Sequence, residues 1–221
     1  MSKKVDRAAH GPSWTEVILG AALSAALGVA LGAAVLVAKP MTRVKAEPAP
    51  EEREKHTLYF IEGARGDANS VKQALAKRKS IGPGQTISIT EQELNAIVAP
   101  VAPPAPKAGE KGAPAVVVTA PNFRIHESRL QVAMPVNVDL AGMAVGSLVV
   151  ARGVIVKAGE QYTFQPDEIY LGSLPLQKFP FALDYVQEKY IRSQPLPEDI
   201  ATALGNAKDL TIDGNQIKLT L

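Results

Sequence analysis

The chain has 221 residues, 46% hydrophobic and 21% charged, enough for one globular domain with an appendage. Lys3, Lys4, Arg7 and Lys39, set against Asp6 and Glu16, account for the whole net charge of +2; beyond residue 40 the chain is neutral and lacks the basic balance of a nucleic-acid-binding domain. The absence of cysteine excludes a disulfide scaffold, thiol catalysis and cysteine-ligated metal, and His10, His56 and His126 lie too far apart for the helix spacing of a zinc site.

Residues 1–16 form a short tail, expected in the cytoplasm. Val17–Ala38, VILGAALSAALGVALGAAVLVA, carries no charge. As a helix it would be about 33 Å long, enough to cross a hydrocarbon core of about 30 Å. Trp14 stands where an interfacial aromatic would anchor it, Lys39 and Arg43 follow it, and Pro40 stops it. The apolar run is longer than a signal-peptide core, so a retained anchor is expected; the alternative is a cleaved signal, because Val44-Lys45-Ala46 ends in a small residue. Flanking charge does not decide the topology, since Lys3, Lys4 and Arg7 before the span balance Lys39, Arg43 and Lys45 after it. A short basic tail and a cysteine-free chain fit a single-pass protein of the cytoplasmic (inner) membrane with its main domain extracytoplasmic. Gly20, Ser24, Gly28 and Gly32 recur every four residues and make a small-residue stripe suited to a helix–helix partner or a homodimer; an Ala- and Gly-rich anchor also contains such spacing by chance.

Residues 39–56 read as a polar stalk, extended or mobile, with two prolines and mixed charge in MTRVKAEPAPEEREK. A basic helix follows. Asn69 or Ser70 is its expected cap, Val71, Ala74 and Leu75 its apolar stripe, and Lys72, Lys77, Arg78 and Lys79 its positive side. That side is read as a solvated face, or alternatively as a contact for anionic headgroups. Gly82-Pro83-Gly84 breaks the chain without the Lys-Ser/Thr of a phosphate-cradling loop. In ISITEQELNAIVAP, Ile87 and Ile89 alternate as in a short strand, Thr90 and Glu93 form a capping box, and Leu94, Ile97 and Val98 are the expected buried stripe of the helix. The Pro-rich segment 100–114 is read as a long loop inside one domain spanning 57–221.

The period then changes to two. In RLQVAMPVNVDL, Leu130, Val132, Met134, Val136, Val138 and Leu140 alternate with Arg129, Gln131, Ala133, Pro135, Asn137 and Asp139; Gln131 and Asn137 are expected in water. Pro135 predicts an edge position or a bulge. Phe123 and Ile125 belong to the preceding strand, joined by a tight turn near Glu127-Ser128. Met143–Lys157 is apolar on both faces, and Ala158-Gly159-Glu160 turns it into Gln161–Leu171, whose parity switches at Pro166-Asp167 as at a bulge. Phe179–Arg192 and Pro197–Ala207 read as helices. Leu210 and Ile212 pair with Ile217, Leu219 and Leu221 across Asp213-Gly214-Asn215 as a hairpin. The fold class is α+β: a transmembrane helix, then one domain with an antiparallel β-meander, flanking helices and a C-terminal β-hairpin.

No catalytic constellation stands out, and the expectation is a protein that is not an enzyme and takes no cofactor. His126 beside Glu127, and Asp167 beside Glu168, are neighbours on a strand and point to opposite faces. Asp213-Gly214-Asn215 lacks the other ligands of a calcium loop. The meander offers an apolar face and aromatic-rich segments follow it. If the helices leave that face partly open, it becomes an acyl groove, whose candidate lining is Val149, Ile155, Phe164, Phe179, Phe181 and Tyr185; the plain alternative is a closed core.

The order of anchor, stalk, TEQELN at Thr90–Asn95, meander with IYLGSLPL at Ile169–Leu176, helix and final hairpin resembles the small membrane-anchored bacterial envelope proteins of the YpmS type, which are similar to tubular lipid-binding (TULIP-like) domains. The resemblance covers 57–221 by architecture. It implies binding of lipid or a lipid-linked molecule without catalysis, with membrane lipid as partner. The expected function is therefore binding or handling of a lipid-like apolar ligand at the cell envelope; the alternative is a scaffold that contacts other envelope proteins through its domain and transmembrane helix.

Overall fold

The computed structural model describes residues 13–55, 57–98, 116–118, 121–140, 142–159, 161–180, 183–184 and 198–221. The Pro-rich loop 100–114, most of the predicted helix Phe179–Arg192, and the residues His10, His56, Phe181 and Tyr185 lie outside them.

Helix α1 spans Trp14–Ala38, beginning three residues before the uncharged run. Ser13 explains the difference. Its hydroxyl accepts from the Glu16 N–H (3.3 Å) while the Glu16 carboxylate accepts from the Ser13 N–H (3.0 Å), a capping box at the helix start. It is the one described helix long and apolar enough to cross a membrane. Val17, Ile18, Leu19, Leu23, Leu27, Val29, Leu31 and Val35 are bare, and Val37 is its single buried residue. A soluble domain's core helix would bury such a set; among the described residues this one packs on the domain at its C-terminal end, through Ala33 and Val37.

The segment after α1 is not a free stalk throughout. Strand β1 (Thr42–Val44) pairs in parallel with β2 (Tyr59–Ile61), and Met41 and Phe60 are buried. Helix α2 (Ala68–Lys79) is capped by Asp67, whose carboxylate accepts from the Ser70 N–H at 2.7 Å, not by Asn69 or Ser70. That bond holds the Asp67 carboxyl below its ordinary value. The buried residues of α2 are Ser70 and Ala74, while Leu75 is 45% exposed, so the expected stripe is narrower than read. Strand β3 (Thr86–Thr90) runs straight into α3 (Glu91–Val98), where the Thr90–Glu93 capping box forms as expected. Leu94 and Ile97 are half-buried; Glu93, Asn95 and Ala96 are the residues α3 buries.

The main sheet has six strands: β4 (Val116–Val118), β5 (Asn122–His126), β6 (Arg129–Leu140), β7 (Met143–Ala158), β8 (Gln161–Leu171) and β9 (Leu174–Pro175). All its pairings are antiparallel. Glu127 and Ser128 both have positive φ in the β5–β6 turn. The predicted bulge is present: Arg152 pairs with Glu168 and Gly153 with Pro166, leaving Asp167 extra. A Cβ on Gly153 would lie 2.1 Å from the Gln165 carbonyl oxygen, so glycine is required opposite the bulge.

Pro135 is neither on an edge strand nor at a bulge. Pro135 keeps its place in the ladder with β7, opposite Leu148, and on the other side of β6 it falls between the described pairings of β4, which start at Val136, and of β5, which end at Ala133. The alternation of β6 is incomplete because the sheet is covered on both faces. Met134, Val136, Val138, Val149, Ala151, Ile169, Leu174 and Leu176 form one buried cluster, and Ala133 and Val150 form another with Met41 and Phe60. Gln131, expected in water, is 5% exposed; its amide donates to the Ile61 carbonyl and accepts from Arg152. Asn137 is exposed as expected.

Helix α4 (Glu198–Gly205) precedes the hairpin of β10 (Asp209–Asp213) and β11 (Gln216–Thr220), and β11 also pairs with β3. Ala203, Ala207, Leu210, Leu219 and Leu221 form a third cluster, reached from the main sheet by Ile155 and Tyr162. The class is α+β, with the meander and the terminal hairpin in their predicted places.

Candidate functional site

The C-terminal turn of an α-helix has carbonyls with no partner inside the helix. In α1 they are taken up by the main sheet. The Ser173 N–H donates to Leu36 O at 2.9 Å, the Ser147 hydroxyl to Val37 O at 2.8 Å, and the Ser173 hydroxyl to Lys39 O at 3.1 Å. Gly172 lets this happen. Its φ is +57°, and a Cβ there would stand 2.4 Å from Val37 O. Val37 is a member of the main apolar cluster and Ala33 packs against it. The phrase IYLGSLPL thus has a physical role: Ile169, Leu174 and Leu176 are core, and Gly172-Ser173 is the socket for the helix end.

Beside this joint lies a half-open depression of about 250 Å³, lined by Pro40, Met41, Arg43, Pro135, Val136, Asn137, Gly146, Ser147 and Leu148. Its lining is mainly aliphatic, with Asn137 and Ser147 supplying neutral polar groups. Arg43 is the one charged residue of the lining; it makes no ion pair among the described residues, and no carboxylate faces it across the depression. A second depression, about 270 Å³, is lined by Lys77, Ser80, Gln85, Thr86, Ile87 and Ser88.

The six residues read as a ligand lining divide. Val149 is buried in the main cluster, and Phe164 and Phe179 pack against it. Ile155 pairs with Phe164 across the strands and joins the cluster under the hairpin. Phe181 and Tyr185 lie outside the described residues. None of the four described ones, Val149, Ile155, Phe164 and Phe179, lines either depression. Sequence reasoning counted Arg43 only as a flanking charge and missed Ser147, Gly172 and Ser173. The signal for the last two was a Gly-Ser after a strand, which says turn but not what the turn receives.

Gly20, Ser24, Gly28 and Gly32 are all exposed, and a Cβ added at Gly20, Gly28 or Gly32 would meet nothing within 4 Å.

The TEQELN phrase is a clamp. The Glu91 carboxylate accepts from the Ala64 N–H (2.5 Å) and the Ile125 N–H (2.7 Å). The Asn95 amide donates to Ala64 O (2.9 Å) and Phe123 O (2.7 Å) and accepts from the Phe123 N–H (2.7 Å). Two side chains of α3 thereby join β5 to the segment after β2, which share no ladder among the described strands. Glu93 receives Lys77 at 2.7 Å. Burial pushes its carboxyl up, but the hydrogen bonds from Lys77 and the Thr90 N–H outweigh this and hold it below its ordinary value. Lys77 also donates to Ser88 O at 2.7 Å, which withdraws it from the predicted basic face of α2.

The remaining titratable pairs are separated by their partners. His126 and Glu127 are 3.6 Å apart and solvated. Asp167 pairs with Arg129 and Glu168 with Arg152, so the two carboxylates do not share a site. Asp213 pairs with Lys218 at 2.5 Å across the terminal hairpin.

No family model matches the chain, and no match is found among curated proteins. Fold and site together define a class: an α+β domain with an antiparallel main sheet whose core receives the end of the one long apolar helix among the described residues.

Proposed function

We propose that the chain is a single-pass protein of the cytoplasmic membrane whose domain, outside the cytoplasm, binds a lipid-like apolar ligand at the membrane surface without transforming it. The observation that carries this reading is the insertion of Val37, from the bare apolar helix, into the same cluster as the apolar face of β6, β7 and β8. An apolar molecule leaving a bilayer alongside α1 would reach that part of the domain without crossing bulk water. A retained anchor is supported by the same joint. Cleavage after Ala46 would remove Val37 and Met41 from two clusters and delete β1. The resemblance to YpmS-type and TULIP-like proteins points the same way.

Native mass spectrometry of the full chain, extracted in mild detergent, tests the reading. Retained lipid at a fixed stoichiometry is expected; a chain that carries no lipid overturns it. A second reading, a scaffold that assembles through α1, is favoured by the open stripe of Gly20, Ser24, Gly28 and Gly32. A dimer or a stoichiometric protein partner that is lost in Gly28→Leu, with no lipid bound, would establish it instead.

A further inference from the structure

We propose that the depression beside the helix joint is a binding site for the phosphate of an anionic phospholipid. This rests on α1 spanning the bilayer and deepens the lipid reading by naming the headgroup and its contacts. Position is the first ground. Pro40, Met41 and Arg43 follow within five residues of Ala38, the last residue of α1, so the depression opens at the depth where headgroups lie. Chemistry is the second. Its walls of Pro40, Met41, Pro135, Val136 and Leu148 suit glycerol and the first methylenes of an acyl chain, while Asn137 and Ser147 offer polar contact. Charge is the third. Among the described residues Arg43 is a guanidinium without an ion-pair partner, in a lining free of carboxylates, and a guanidinium fork matches phosphate oxygens. A zwitterionic headgroup would present its own ammonium to the same cation; phosphatidylglycerol presents none. At the membrane surface each such cation favours anionic lipid by about fivefold, an effect that salt weakens.

The test uses the full chain in nanodiscs of dioleoylphosphatidylcholine doped with dioleoylphosphatidylglycerol, with retained lipid counted by native mass spectrometry after transfer to mild detergent. Wild type should retain phosphatidylglycerol in preference to phosphatidylcholine. Arg43→Gln should reduce that preference about fivefold, and Arg43→Glu should abolish it, with unchanged melting temperatures. If Arg43→Glu does not fold, Arg43→Gln alone decides. Equal preference in wild type and Arg43→Gln would overturn the site and leave the apolar-ligand reading standing; retention of neither lipid by wild type would overturn both. Saturable binding of inorganic phosphate through Arg43, with no preference between the two lipids, would mark a free-anion site and overturn the lipid assignment.

Discussion

Glu93 is 2% exposed and still ionised, because Lys77 and the Thr90 N–H meet its carboxylate. Its folded-state value lies below the ordinary 4.5, so its contribution to stability is complete above that value and is lost as pH falls through the lowered one. Glu93→Gln should therefore flatten the acid limb of a stability–pH curve and cost about 1–3 kcal/mol near neutrality. Lys77→Met should cost more, about 3–5 kcal/mol, since it leaves a buried carboxylate without its cation. Urea titrations across pH check both, and a Glu93→Gln acid limb as steep as that of wild type would contradict the assignment. Asn95→Ala should cost about 3 kcal/mol by orphaning backbone groups of Phe123 and Ala64. The Thr90–Glu93 box was legible because its members are three residues apart. Lys77 was not legible as the partner of Glu93, nor Glu91 and Asn95 as a clamp, because their targets come from distant segments and any spacing would serve.

At the scale of elements, the two-residue period of β6 correctly located a strand but showed only one of its faces. Val136 is 3% exposed and Asn137 is exposed, so Val136→Asp should unfold the domain, at a cost of several kcal/mol, while Asn137→Asp should be nearly silent. Gln131 departs from the pattern: as its amide bridges Ile61 and Arg152, Gln131→Ala should cost about 1–3 kcal/mol where alternation predicts nothing. Thermal melts of the three variants rank these effects. Hairpins and the bulge were legible because turn chemistry and parity are local. The pairing of β3 with β11 was not, since it joins residues 86–90 to the last residues of the chain and is fixed by which edges the folded domain leaves open. The socket at Gly172 belongs here too. A Cβ there would meet Val37 O and Leu36 O, so Gly172→Val should separate helix from sheet and lower stability by roughly 2–4 kcal/mol in the full chain. A wild-type melt for this variant would show that the joint is not tight.

For the whole molecule, order was legible and orientation was not. Apolar helix, meander and terminal hairpin follow from composition and period, but the flanking cations balance. The lack of cysteine makes the question tractable. Asn215→Cys places one thiol in the exposed turn between β10 and β11. A membrane-impermeant maleimide should label it in intact spheroplasts if the domain is extracytoplasmic; labelling only after lysis would reverse the topology.

The union of helix end and sheet also sets reach. A domain hung on a flexible leash of n residues searches a hemisphere whose radius grows as about 5–6 Å times the square root of n. Here the first hydrogen bond to the sheet is made by Leu36 O, inside the helix itself, so no leash intervenes. With α1 anchored in a bilayer, as proposed, the domain would travel laterally with its anchor but hardly at all along the membrane normal, and tilting of the helix would tilt the sheet with it. Its encounters would be confined to a layer about one domain thick, where a molecule embedded in the same leaflet is at high effective concentration and one dissolved in the surrounding water is not.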